Sequence, residues 1–443
     1  MTLTIEQTGQ NTPDFGPEYE RQSHEIAKAV VEQSLAYGPE LEAMGVVRTL
    51  SVLAENHPLA VKGYEVYEKD DTVGPVRTFK QRGATAAVLA AKYRLEAQGI
   101  EIKNAFTVAA SAGNHAQGVG YASKRSGFKG SVIETAYSLS EYKRERLSAM
   151  PDVALHPYHA TLEDAVVTAK RAGEFYGHAF IDPFDSVDTM AGAAGVAHEM
   201  LDDFLADQAE GKIDLHRDEL TLLFPAGGGG LGAACAAVFY DARQKGLIGE
   251  GVQVVLVQMK GCNAIAEQLA GRTLDKVDTS CDGTAVLKPG VLTTEVIADP
   301  DFVAGVITVP KSYVGRAMTY LGDAEPAGAL SMAGAMWLAS QQGTAPHDGR
   351  RHIFHTIKTG ANISEQDFAN FVSDAWDSMS MAERGEAVKH LPNKLFTFED
   401  DNETPDVSHW QATALGSLSC QASSSPTQHF RAGLVTPTRR AQV

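Results

Sequence analysis

From residue 83 onward the chain keeps switching between alanine-rich runs with helical spacing and short runs of almost continuous apolar character. Helical patterns fall at residues 84–97, 114–126, 140–150 and 161–177, with Thr161 placed to cap the last. Extended runs at 105–110, 131–133, 153–156 and 179–181 separate them. A second series follows, with helical patterns at 189–205, 231–245, 264–270, 313–321 and 328–341 and strands at 220–224, 252–258 and 352–357. Upstream, residues 20–37 have the spacing of an amphipathic helix and 64–67 that of a short strand. Strands that are apolar on both faces suit a parallel sheet covered on each side by helices. The expected fold is therefore α/β, with two domains that are each an open, mostly parallel sheet flanked by helices.

Composition narrows the function. The 443 residues, 44% of them hydrophobic, suffice for two or three domains. Asp and Glu number 56 against 38 Lys and Arg, a net charge of −18. That balance is the reverse of what nucleic acid or an anionic membrane attracts, so neither is an expected partner. A small anionic substrate would need a locally basic or amide-lined pocket. Cys235, Cys262, Cys281 and Cys420 make no CxxC or Cys/His zinc spacing, which points to reduced thiols, with Cys235 packed in the core. No apolar run reaches the ~18 residues a membrane span needs. The first 20 residues lack the basic start and apolar stretch of a signal peptide. A cytoplasmic protein is expected, with a disordered lead-in over residues 1–18. Residues 365–381 keep helical spacing, and the Ser-, Thr-, Gln- and Pro-rich remainder reads as a largely disordered tail.

Four segments stand out against this background. In Arg77-Thr78-Phe79-Lys80-Gln81-Arg82-Gly83 a lysine sits at the mouth of a helical run, beside a bulky ring and close to a glycine. A lysine amine acts as a covalent catalyst by forming a Schiff base, most often with a carbonyl cofactor such as pyridoxal phosphate. An ordinary surface lysine is the plainer reading, and only the other segments lift Lys80 above it. Ser111-Ala112-Gly113-Asn114-His115 joins a strand to a helix, where free backbone amides attract anions such as a carboxylate. A tight turn with an asparagine cap accounts for the same residues, and His115 reads equally as a packed histidine. Gly227-Gly228-Gly229-Gly230-Leu231 lies between an apolar strand and a helix. Four consecutive glycines are entropically costly, and a loop wrapping its amides around a phosphate explains them, a flexible loop being the other reading. The pattern is neither GxGxxG nor a P-loop, so dinucleotide and ATP sites lose support. Finally, Lys358-Thr359-Gly360-Ala361-Asn362 closes the last strand with a hydroxyl that either faces a ring nitrogen or caps a turn.

In this order, the segments around Lys80, Asn114 and the glycines resemble those of the fold type II pyridoxal-phosphate enzymes, closest to the threonine/serine dehydratases. Asp182-Pro183-Phe184-Asp185, Asp282-Gly283-Thr284-Ala285-Val286, the stretch from Ala324 to Leu330 around Glu325, and Thr359 to Asn362 match the same family, which the chain resembles over residues 45–362. The resemblance implies that Lys80 is the Schiff-base lysine and the acid/base at Cα, with Phe79 against the cofactor ring. Asn114 would bond the phenolic oxygen, Gly227, Gly228, Gly229, Gly230 and Leu231 the phosphate, and Thr359 the pyridine nitrogen, where relatives usually carry serine. Ser111, Ala112, Gly113, Asn114 and His115 would hold the substrate carboxylate. A large cofactor-binding domain over residues 19–80 and 183–362, a small one over 81–182 and a homodimer or homotetramer follow by analogy.

The implied activity is loss of ammonia from a small β-hydroxy L-amino acid, threonine or serine, to leave a 2-oxo acid. Alternatives are β-replacement, action on 3-hydroxyaspartate or a bulkier β-hydroxy acid, and an inactive cofactor carrier. Three departures refine this. Ala112 stands where racemases of the family carry a second serine. Gln258 stands where cation-activated relatives carry an acid, so no metal is expected. Residues 363–443 do not read as a regulatory ACT domain. A longer stretch between Lys80 and Asn114, and Ala136-Tyr137 in place of a proline, bear on the substrate side.

Overall fold

Among the described residues, ten strands fall into two sheets. In chain order they are β1 (Ser51–Leu53), β2 (Glu65–Asp70), β3 (Phe106–Ala110), β4 (Gly130–Ala136), β5 (Val153–His159), β6 (Ala179–Phe180), β7 (Glu219–Pro225), β8 (Val252–Met259), β9 (Gly305–Val309) and β10 (His352–Lys358). The six-stranded sheet runs β1-β2-β10-β7-β8-β9, parallel except for β1 at its edge. The four-stranded sheet runs β5-β4-β3-β6 and is parallel throughout. This computed structural model describes residues 17–377 apart from Asn56, Ala112 and Ser138. The expected lead-in up to residue 16, the tail beyond 377 and Cys420 lie outside the described residues, and residues 17 and 18 already belong to the first helix, Pro17–Ala43. No helix among the described residues is long and apolar enough to cross a membrane.

The apolar runs become doubly covered strands, as their composition requires. Successive residues of β7 and β8 point into different cores: Leu222 and Leu256 pack with Met200, Phe204 and Phe239, whereas Leu223, Val255 and Val257 pack with Met318, Leu330 and Phe354. Helices Val187–Ala209 and Gly230–Gln244 cover the first face, and Lys311–Leu321 and Pro326–Gln342 the second. Side chains from Ala84 to Leu95, with Val119, Ile133 and Leu147, fill a separate core beside the smaller sheet. Thr161 caps the helix Leu162–Tyr176 by accepting the Asp164 amide at 3.1 Å.

Small residues bring three helices close together where Lys80–Ala97 begins. A Cβ on Gly118 would lie 2.9 Å from the Ala84 methyl and 3.1 Å from the Lys80 carbonyl oxygen. One on Gly192 would lie 2.4 Å from the Arg82 carbonyl oxygen, so neither position accepts a side chain without moving the first turn of the lysine helix. Charges fix that turn as well. Arg82 donates to Asp71 at 2.8 and 2.7 Å and to Glu199 at 2.7 and 2.9 Å, and Lys69 donates to Glu199 at 2.7 Å. Thr49 adds its hydroxyl to Asp71 at 3.1 Å and its amide to Glu199 at 3.1 Å. Three buried charges and the half-buried Glu199 thus join β2, the turn after it and two helices, each with a partner of opposite sign.

Candidate active site

The four singled-out segments all leave the carboxyl ends of parallel strands or the turn beyond β2, where open α/β sheets place their ligands. The lysine segment is tied to the end of β10. Phe79 donates its amide to the Thr359 carbonyl at 3.0 Å, Thr78 donates its hydroxyl to the same oxygen at 3.0 Å, and Ala361 donates its amide to Arg77 at 3.1 Å. Arg77 holds a φ of 51°, rare for a residue with a side chain, so this join carries some backbone strain.

Lys80 opens its helix. Its Nζ donates to the Pro183 carbonyl at 2.9 Å and lies 5.3 Å from the centre of the Phe79 ring and 6.0 Å from that of Phe184. Burial pushes the amine down to about 8, while the nearby Asp182 carboxylate works in the opposite direction. A substantial fraction of this lysine is therefore a neutral nucleophile near physiological pH.

Asn114 is the first residue of the helix Asn114–Ser126, and Gly113 occupies the cap position. The asparagine side chain does not cap. Its Nδ2 donates to Glu325 Oε1, and its Oδ1 accepts Nδ2 of Asn362 at 2.8 Å; Asn362 also donates to the Val76 carbonyl at 2.8 Å. The amide is thereby held in one orientation with one N–H to spare. Burial raises the Glu325 carboxyl above the usual range, against the pull of Lys143 and Asn114. Ser111 accepts the Gly113 amide at 3.1 Å and donates its own amide to Glu134 at 3.1 Å. His115 is buried with Nε2 3.0 Å from the Ile181 carbonyl, and burial, then the nearby Lys80, lower it to about 3. It is a neutral packed histidine. Ala112, the other residue expected here, lies outside the described residues.

The glycine loop is moulded by its neighbours. A Cβ on Gly228 would sit 2.5 Å from the Phe184 ring, one on Gly230 2.9 Å from Phe184 backbone, and one on Gly227 2.9 Å from Thr284. Gly229 has a φ of 98°, open only to glycine at low cost. The Gly228 carbonyl accepts the Thr293 hydroxyl at 2.7 Å and the Gly290 amide at 3.1 Å, and Leu231 is packed in the core behind. Among the described residues, the amides from Gly227 to Gly232 meet no acceptor, Ala233 being the first to bond, to Gly229 at 2.9 Å. Six successive donors at a helix start suit the phosphate of a phosphate ester. Thr359 is buried, with its hydroxyl 3.5 Å from the Ala327 carbonyl. Gln258 spends its side chain on structure, donating to Ala226 at 3.0 Å and accepting the Ala266 amide at 3.0 Å. No cluster of three or more metal-ligating side chains occurs among the described residues.

The groups that back these segments carry no local signal of their own in the sequence: the Pro183 carbonyl, the Phe184 ring, Thr284, Thr293 and Lys143. The first three lie in Asp182-Pro183-Phe184-Asp185 and Asp282-Gly283-Thr284-Ala285-Val286, segments similar to the family's but given no role. A phosphate-bearing aldehyde needs an amine, a row of amide donors, a flat apolar wall and polar groups toward its ring, and the residues present supply each.

Comparison with known proteins agrees. The model of the pyridoxal-phosphate dependent enzyme family matches residues 48–353, more than half of the chain. A protein named L-threonine dehydratase biosynthetic IlvA from Burkholderia multivorans is 29% identical over 77% of this chain, which spans 62% of that relative's length. A Mycobacterium tuberculosis protein of the same name is 29% identical over 76% of this chain and 72% of its own length. In fold, the chain is similar to the processed threonine deaminase isoform 2 of Solanum lycopersicum (TM-score 0.61, 23% identity, 83% of this chain and 90% of that one). It is likewise similar to a maize serine racemase (TM-score 0.59, 23% identity, 79% of this chain and 97% of that one). The fold, the amine set among rings and the open row of amides agree with the match: this chain belongs to the pyridoxal-phosphate dependent enzyme family, and pyridoxal phosphate is its cofactor.

Proposed function

We propose that the chain is an ammonia-lyase that converts a small β-hydroxy L-amino acid, threonine or serine, to a 2-oxo acid and ammonia. The observation that carries this reading is the Lys80 amine, shifted toward its neutral form and bonded to a carbonyl, the state a proton-accepting nucleophile requires. The names of the dehydratase relatives support it. When bound, pyridoxal phosphate supplies an electron sink that makes a Cα proton removable.

The chain's own residues then divide the work. Lys80 Nζ would hold the cofactor covalently and, once the substrate's amine has displaced it, would be the free amine that accepts the Cα proton. Gly227 to Leu231 would hold the phosphate with backbone amides, and Phe79 would lie against the ring. Asn114, its orientation set by Glu325 and Asn362, would direct its spare N–H to the phenolic oxygen. Thr359 would offer a hydroxyl to the ring nitrogen. A hydroxyl, unlike a carboxylate, would not favour a protonated ring nitrogen, which would suit elimination of the β-hydroxyl. Residues 111–115 receive the substrate carboxylate, with His115 serving as packing. In this reading residues 19–80 and 183–362 form the cofactor-binding domain and 81–182 the smaller one. The enzyme works in the cytoplasm as a homodimer or homotetramer.

The test is 2-oxo acid release from purified protein given L-threonine, L-serine or L-threo-3-hydroxyaspartate, with Lys80→Ala alongside. Release from threonine or serine, lost in the variant, is expected. Release from 3-hydroxyaspartate alone would reassign the substrate. Cofactor binding with no release from any of the three would sink the lyase reading and turn attention to β-replacement.

A further inference from the structure

We propose that Lys143 is a specificity-determining residue that supplies the positive charge for the substrate's α-carboxylate, and that Asp282 holds this charge in place until the substrate arrives. The proposal rests on reading residues 111–115 as the carboxylate loop.

Lys143 lies on the short helix Glu141–Ser148 that follows β4, and its side chain is almost wholly buried. From there it reaches the loop itself. A Cβ built on Gly113 would lie 3.3 Å from Lys143 Cδ and 3.4 Å from both Cε and Nζ, so the lysine tail lies along the space that a side chain at 113 would need. The glycine makes room for the lysine, and the lysine brings a full charge to amides that carry only partial ones.

The charge has partners on the opposite side. Nζ donates to Asp282 Oδ2, in the turn Thr279–Thr284 that also backs Gly227. Burial works against the ammonium, and Glu325, Asp367 and Cys281 are the further groups that favour it. Arg146, one turn along the same helix, is directed away, to Gln117 Oε1 at 3.2 Å and the Tyr142 ring. The Asp282 side chain is 39% exposed, against 11% for Lys143, so water can take over the aspartate when the lysine turns to another carboxylate. In a chain of net charge −18, an anionic substrate gains from such a local cation.

The experiment compares L-serine with L-serinamide, which replaces the carboxylate by a neutral amide, and measures dissociation constants from the cofactor absorbance of the full-length holoenzyme. Wild type, Lys143→Met and Lys143→Arg are used. The wild type is expected to prefer serine. Lys143→Met should lose about 10- to 100-fold of that preference, the size of a lost charge-assisted bond, through weaker serine binding alone. Lys143→Arg should keep most of it. An unchanged serine-to-serinamide ratio in Lys143→Met would show the lysine to be structural and overturn the proposal. If Lys143→Met does not retain cofactor, Asp282→Asn decides: a preference raised, as the lysine loses its competing carboxylate, supports the proposal, and a preference unchanged or lost refutes it. The ratio needs no turnover, so a failure to release 2-oxo acid would remove the lyase reading and leave this one standing.

Discussion

Lys80 and Arg82 stand two residues apart on one helix, both drawn away from solvent, yet the molecule treats their charges in opposite ways. Arg82 is enclosed by Asp71 and Glu199, and although burial works against its charge, the two carboxylates lift its pKa above the ordinary value. Lys80 has a neutral carbonyl as its bonded partner and the more remote Asp182 as its favourable charge, so burial prevails. Burial alone neutralises a cation, whereas burial with paired carboxylates locks it charged. The first arrangement makes a reagent and the second an anchor, and the anchor fixes the reagent's position.

The largest effect expected from this contrast is chemical. Lys80→Ala should lower turnover by about a thousandfold or more and abolish the cofactor's covalent attachment, read by absorbance and borohydride trapping. Normal turnover in that variant would remove Lys80 from the chemistry. Next comes stability. Arg82→Met leaves Asp71 and Glu199 buried with less compensation and should cost about 3–5 kcal/mol in denaturant unfolding. Lys80→Met in the cofactor-free protein should be neutral or stabilising at pH 7; equal losses in both variants would erase the distinction.

The third effect is the pH dependence of that second comparison. Folded Lys80 titrates at about 8, below its ordinary 10.5, so the unfolded chain binds more protons between these values. Wild-type stability should therefore rise with pH across this window by a contribution that Lys80→Met lacks. Identical pH profiles would show that the amine is not shifted. The smallest effect belongs to Asp182→Asn. Removing that negative charge withdraws support from the ammonium, so the Lys80 midpoint, followed by the pH dependence of cofactor capture, should move below 8. A midpoint that rose would mean that Asp182 acts on Lys80 through structure rather than charge.

Much of this was legible in the sequence, for identifiable reasons. Doubly apolar runs became parallel strands because hydrophobic burial on both faces leaves them little alternative, and the helix start at Asn114 fell where expected. Short or mixed elements escaped: β1 has three residues at a sheet edge, β9 begins with glycine, and the helix Val291–Ala298 is rich in β-branched residues that favour strands. The motif residues of the site were legible because glycine runs and a lysine at a helix mouth have a local cause. Their supports were not. Lys69 and Glu199 meet across 130 residues, Asn114 and Glu325 across 211, and Lys143 and Asp282 across 139. Each is an ordinary charged or polar residue until the fold brings its partner.

The fit between Gly228 and Phe184 has a further consequence, for how such sites diverge. The ring occupies the volume that a side chain at 228 would fill, and the carbonyl that accepts Lys80 precedes it in the chain. Enlarging 228 is tolerable only if 184 shrinks, and a smaller residue at 184 alters the wall beside the amine. Drift at these two positions should therefore be correlated, and a lineage that changes one will tend to carry a compensating change at the other.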